Sequence, residues 1–232
     1  MGVTRRGLLA AFGLAVSACG CSSDLGSIVY FLTPERLDPP ETKKLASDDK
    51  NRRTPVKVVV LPYVSLDIAQ TEFLNADGQL ADLMARQLTT LAAEDNEKLT
   101  VVPWSKVKEY LSRHPDWRLN LEPQQIGEDL HADYVIEVDV RKLSLYEPGS
   151  YNRVYAGRAE VVLSLVDVRR RDEPAEQREL NFVYPSEATR GSDVADADTP
   201  PYVFKARFFN YMTKHLAWHF VPHHKAENGV VE

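Results

Sequence analysis

Residues 132–168 read "ADYVIEVDVRKLSLYEPGSYNRVYAGRAEVVLSLVDV". Ile136, Val138 and Val140 alternate with Glu137, Asp139 and Arg141, the period-two pattern of a strand with one apolar and one polar face. Leu143 and Leu145 fall on the opposite parity. A strand that keeps one face buried throughout needs a one-residue bulge near Arg141 or Lys142 to accommodate them. "EPGSYN" supplies turn residues. The return run places Val161, Leu163 and Leu165 on one face. The whole stretch predicts a long antiparallel hairpin.

The flanking sequence supplies partners for it. "VKVVVLP", residues 56–62, is a β-branched run ended by proline, as expected of a strand buried on both faces. Leu80, Leu83, Met84, Leu88 and Leu91 recur at helical spacing, with Asp77 as the expected N-cap. "LTVVP" predicts a second short strand. Ser105 opens a short helix that "HPDW" interrupts, and "PQQIGEDLH" a further one with Pro123 in its first turn. "ELNFVYP" is a fifth strand. A last helix is expected from Thr199, its apolar face formed by Phe204, Phe208, Tyr211, Met212, Leu216 and Phe220, and Pro222 ends it. The order β-α-β-α-α-β-β-β-α implies an α/β (α+β) sandwich, a mixed sheet of about five strands with helices packed on it. Residues 56–222 are the expected domain and 223–232 a disordered tail.

The N-terminus has a different character. Arg5 and Arg6 precede an apolar run from Leu8 to Val16, far shorter than the roughly 20 residues of a membrane span. Ser17 and Ala18 then precede Cys19. Cys19 and Cys21 are the only cysteines. Two residues apart, they would close a strained ring as a disulfide, and they make half a zinc site at most. Val16-Ser17-Ala18-Cys19 resembles the bacterial lipobox, which implies cleavage after residue 18 and diacylglycerol on the Cys19 thiol. Thr4-Arg5-Arg6-Gly7-Leu8-Leu9 is also similar to a twin-arginine export signal. Cys21 is given no role. Residues 19–55, with charged and proline-rich "DPPETKKLASDDKNRRTP", are the expected tether, interrupted by an apolar peg, Ile28 to Leu32.

Removing residues 1–18 takes away two arginines and no acid, leaving 26 basic against 34 acidic residues and a net charge of −8. No basic stripe remains to displace counterions from phosphates, so nucleic acid is not expected as a partner. Anionic lipid is not expected to hold the protein either. The lipid on Cys19 must then anchor it to the membrane. Gly20, following Cys19, tilts the expectation toward the outer membrane.

The strand ending "VLPY", the helix "GQLADLMARQLTTLA", the strand "LTVVP" and "IGEDLHADYVIEVDV" together resemble a group of bacterial envelope proteins. It includes the N-terminal domain of TolB, the curli-secretion lipoprotein CsgG and the lipoproteins that activate penicillin-binding proteins. The resemblance spans residues 56–184, with His131 where the group has glycine and Glu137 where a small residue is common. It implies an accessory or assembly lipoprotein with no catalytic residues to carry over.

The chain has no G-x-S-x-G, P-loop or H-E-x-x-H motif. His215 and His219 share a helix face, with His223 and His224 beyond, but no acid or cysteine completes a metal set, and histidines near a helix C-terminus complement its dipole. Asp193, Asp196 and Asp198 lack the glycine and final glutamate of a calcium loop. No catalytic residue, cofactor or metal is therefore expected. Phe209 and Trp218 fall off the main stripe of the last helix and are the expected partner surface. The expectation is a non-catalytic interaction module facing the periplasm, docking on an envelope protein or a second copy. The alternative is a CsgG-like pore subunit whose residues 134–168 enter the membrane.

Overall fold

A computed structural model describes residues 37–42, 45, 54–65, 67–68, 72–171, 173–185 and 199–224. Five strands, β1 (Val56–Val64), β2 (Leu99–Val101), β3 (Tyr134–Tyr146), β4 (Tyr155–Asp167) and β5 (Glu176–Tyr184), form one mixed sheet in the order β2-β1-β3-β4-β5. β1 runs parallel to both β2 and β3, and β3-β4-β5 form an antiparallel meander. The helices are α1 (Ala76–Glu94), α2 (Trp104–Ser112), α3 (Trp117–Asn120), α4 (Pro123–Asp129) and α5 (Pro201–Trp218).

Connectivity decides which helix covers which face. β1-α1-β2 moves outward along the sheet, and β2-α2-α4-β3 moves back across β1. Right-handed crossovers in opposite directions put their helices on opposite faces. Val58, Val60, Ile136, Val138, Val140, Val161, Leu163 and Leu165 accordingly point to the α1–α5 side. Val59, Leu61 and Val135 point to the α2–α4 side, where Val107 and Ile126 meet them. This double burial explains the unbroken apolar run of β1.

The expected bulge is present. Val140 opposes Val161 and Lys142 opposes Glu160, so Arg141 is the extra residue, and Leu145 beyond it returns to the α1–α5 core. α5 lies close over β4. A Cβ on Gly157 would sit 2.7 Å from the Phe208 ring, so glycine is what permits that approach.

Helix starts differ slightly from expectation. Asn75, in the left-handed region at φ 58°, caps α1, and Asp77 occupies its first turn, where a carboxylate suits the helix dipole. Pro103 precedes α2 and Pro200 precedes α5, so Ser105 and Thr199 are not the caps.

Two boundary regions also differ. Residues 38–42 and Leu45, expected in the tether, lie against the C-terminal end of α5. Asp38 and His223 form an antiparallel bridge, and Leu45, 2% exposed, belongs to the α1–α5 core. His223, assigned to the tail, is buried by the same contact. A tether that meets the chain's own helix end gains hydrogen bonds and apolar contacts that composition does not reveal. Cys19, the Ile28–Leu32 peg and the aspartates of 193–198 lie outside the described residues. No helix among those described is long and apolar enough to cross a membrane.

Candidate interaction surface at the hairpin end

The topology gives the domain two poles. α1 and α5 both start at the pole where β1, β3 and β5 end, and the β3–β4 turn projects beyond it. Side-chain contacts tie these parts together. The Tyr155 ring stacks on Tyr146 at 5.2 Å and on Phe204 at 4.6 Å, and its hydroxyl donates to the Thr199 carbonyl at 2.8 Å. Phe73 stacks on Phe209 at 6.4 Å, and the Lys205 ammonium donates to the Glu72 carbonyl at 2.9 Å. The hairpin base, the start of α5 and the segment before α1 therefore form one braced surface.

That surface carries most of the exposed large apolar side chains. Leu74 precedes α1, Tyr151 and Val154 occupy the hairpin turn, and Tyr202 lies in the first turn of α5; Val183, near the end of β5 between Phe182 and Tyr184 of the α5-side core, faces the other side of the sheet. Tyr151 is 91% exposed. Leu119 on α3 is the one other exposed large apolar residue among those described. A groove of about 560 Å³ runs between α1 and α5 from this pole, lined by Gln79, Asp82, Arg86, Tyr202, Lys205 and Asn210. A second cleft of about 640 Å³, lined by Asp77, Gly78, Trp104 and Lys108, separates the starts of α1 and α2.

The residues chosen from the helical wheel are elsewhere. Phe209 is 1% exposed beneath Phe73, and Trp218 is 9% exposed. Neither is a free partner surface. α5 is covered on more sides than a single stripe implies, by the sheet, by Phe73 before α1 and, at its end, by residues 38–42 and Leu45.

Two polar clusters lie away from the hairpin turn. On the face of β3 opposite the α1–α5 core, Arg118 sits 3.6 Å from Asp139 and 3.4 Å over the Tyr63 ring, and Trp117 meets Tyr63 edge-on. Burial pushes the Glu137 carboxyl above its ordinary range; Arg118 pulls the other way and Asp139 adds to the rise. Nearby, burial and donation to Asp129 push the Tyr110 hydroxyl up to about 12. Sequence alternation marked Glu137 and Asp139 as one face, but Arg118 comes from a distant four-residue helix and left no signal.

The second cluster is histidine-rich. His215 is tilted between Tyr211 and Trp218, and Trp218 stacks on His223 at 4.5 Å. His215 Nδ1 lies 2.8 Å from the Tyr211 carbonyl, which suits the tautomer with Nδ1–H donating, and its buried Nε2 finds no hydrogen-bond partner. Burial lowers its proton affinity; the hydrogen bond to the Tyr211 carbonyl and, more weakly, Glu41 pull the other way, while Lys214 and, least, His223 add to the lowering. His219 Nδ1 is 2.9 Å from Glu41 Oε2. The Thr42 hydroxyl donates to the His219 carbonyl, not to an imidazole. Among the described residues, no group of three His, Cys, Asp or Glu is placed to hold a metal ion.

No family model matches the chain, and no curated protein matches it. Several solved structures are similar in layout. The PelC dodecamer from Paraburkholderia phytofirmans is 10% identical over 80% of this chain and 98% of that one, with a TM-score of 0.41. Protein XCC0632 from Xanthomonas campestris is 16% identical over 79% of this chain and 89% of that one, at 0.43. Lipoprotein GNA1162 from Neisseria meningitidis is 16% identical over 57% of this chain and 87% of that one, at 0.37. These are distant likenesses of fold.

Proposed function

We propose that the protein is a lipid-anchored, non-catalytic assembly module of the bacterial envelope, which docks a protein partner, another envelope component or a second copy, on its hairpin end. One observation carries this reading: most of the exposed large apolar side chains among the described residues lie toward the hairpin pole, while ion pairs such as Arg113–Glu109, Arg170–Glu173 and Arg171–Glu128 mark the surface elsewhere. Monomeric domains seldom gather exposed apolar residues without a binding use. The lipobox-like stretch ending at Cys19 supports the anchor. At the His219–Glu41 contact the Thr42 hydroxyl donates to the His219 carbonyl and not to its ring, which suits a structural pair.

The pore reading draws little support. The apolar face of the hairpin is covered by α1 and α5, and its other face carries Arg141, Lys142, Arg158 and Glu160. A lipid-facing strand needs an apolar outer band.

The test replaces Leu74, Tyr151, Val154 and Tyr202 together by serine. Native gel electrophoresis of gently solubilised membranes should show wild type in a complex larger than the monomer and the variant as monomer, with unchanged melting temperature. Identical migration of the two would overturn the proposal.

A further inference from the structure

An outer strand leaves one row of backbone N–H and C=O groups without a sheet partner. The sheet has two such edges, and they are unlike. β2 has three residues, the short kind of edge that discourages pairing. β5 has nine, and it runs against β4 without a register shift from Glu176 to Tyr184. It contains no proline, and among the described residues no strand pairs with its outer side. Glu176 to Glu179, Asn181 and Val183 are exposed. Leu180, Phe182 and Tyr184 pack toward the α1–α5 core, so Glu176 and Arg178 share their face, while Gln177, Glu179, Asn181 and Val183 lie on the open face. A groove of about 420 Å³ runs beside Val183 on that open face, lined also by Leu143, Ala159 and Asn181.

The strand that fits this edge is β5 itself. A two-fold axis normal to the sheet sets two copies of β5 antiparallel, keeps the α5 face continuous and brings residues of the same face opposite one another. The charges choose the register. An axis at Arg178 or at Glu179 sets that residue against its own copy, like charge on like. An axis at Leu180 opposes Leu180 to its own copy, Glu179 to the second copy's Asn181, Arg178 to its Phe182, Gln177 to its Val183 and Glu176 to its Tyr184. No like charges meet, the exposed Val183 gains the aliphatic part of Gln177, and every residue of the strand has an opposite. Axes further along in either direction pair fewer residues. We infer that a second copy of this chain pairs with β5 in this register, joining the two sheets edge to edge. The surface is separate from the hairpin end. Two edge strands alone make a smaller contact than the roughly 800 Å² per partner of a stable complex, so the pair forms at high local density and comes apart in the dilution of a native gel.

The test places single cysteines in the full-length chain carrying Cys21→Ser and oxidises intact cells with copper–phenanthroline. Opposed residues of antiparallel strands have Cα atoms about 4.5–5.5 Å apart, within disulfide range. Leu180→Cys should give a disulfide-linked dimer at least about fivefold more abundant than Asn181→Cys or Glu179→Cys, whose own copies are not opposite them. Mass spectrometry of the peptide holding residue 180 assigns the bond, so Cys19 does not enter the reading. Added to Leu180→Cys, Asn181→Asp sets a carboxylate against each Glu179 and should lower the dimer yield about threefold, whereas Asn181→Lys makes an ion pair at each and should raise it. The comparison among the three cysteine positions stands even where a change at residue 181 lowers the melting temperature. Serine at Leu74, Tyr151, Val154 and Tyr202 together should leave the Leu180→Cys yield unchanged. A Leu180→Cys dimer no more abundant than the Asn181→Cys dimer would overturn the inference. So would the two changes at residue 181 moving the yield in one direction, or loss of the dimer with the four serines.

Discussion

Gly157→Ala tests the seating of α5 on the sheet. The new methyl would lie 2.7, 2.8 and 2.9 Å from three atoms of the Phe208 ring, well inside ordinary contact. Phe208 is fully buried and neighbours Tyr184 and Phe209, so its ring has little room to retreat. Overpacking of this kind costs about 1–3 kcal/mol. Replacing glycine within a strand returns about 0.5–1 kcal/mol of that. The net loss should be about 0.5–2 kcal/mol. Phe208→Ala alone should cost about 3–5 kcal/mol through the cavity it leaves. With the ring absent, Gly157→Ala should become neutral or slightly stabilising, so the double variant is less damaged than the two losses added together, by at least about 1 kcal/mol. Urea unfolding followed by circular dichroism measures all four corners of the cycle. A Gly157→Ala protein as stable as wild type, or strictly additive losses, would refute the close approach of α5 to β4.

Three further outcomes follow from the chemistry. Cys19→Ser should leave the protein with its leader uncut or absent from the membrane fraction, read by immunoblot of fractionated cells; normal processing and membrane retention would contradict the lipid anchor. Glu137 has a raised folded value, so its folded form holds a proton that the unfolded chain releases, and stability falls as pH rises from the ordinary carboxyl range through that value. Glu137→Gln should remove this fall, seen as a flatter melting-temperature profile between about pH 4 and 8. His215 has the opposite linkage: its folded value is lowered, so stability is lost as pH drops below the ordinary imidazole value of about 6.5 and on through the folded one. His215→Phe should keep the ring packing between Tyr211 and Trp218 and lose that acid-side decline in thermal melts.

The sheet was legible because its residues obey a short-range rule. Alternation at Ile136, Val138 and Val140, then a parity change at Leu143, required a bulge, and the structure has it at Arg141. The apolar run of β1 gave away double burial in the same way. Long-range arrangements left weaker traces. Leu45 stands among lysines and prolines, and only the folded chain shows that its neighbours donate to carbonyls at the end of α5. Phe209 and Trp218 fall outside the single apolar stripe of the last helix, but Phe73, residues 38–42 and Leu45 cover further sides of it. The hairpin-end surface left no sequence signal because Leu74, Tyr151, Val154 and Tyr202 are scattered in sequence and only the topology brings their elements to one pole.

Site-specific photo-crosslinking in intact cells tests the docking surface most directly. The crosslinker is placed in turn at Tyr151 on the hairpin turn and at Leu119, which is also exposed but lies on α3. The expected result is a discrete protein adduct from Tyr151, identified by mass spectrometry as one envelope protein or a second copy of this chain, with none from Leu119. No protein adduct from Tyr151, or the same adducts from both positions, would contradict a docking surface at the hairpin end.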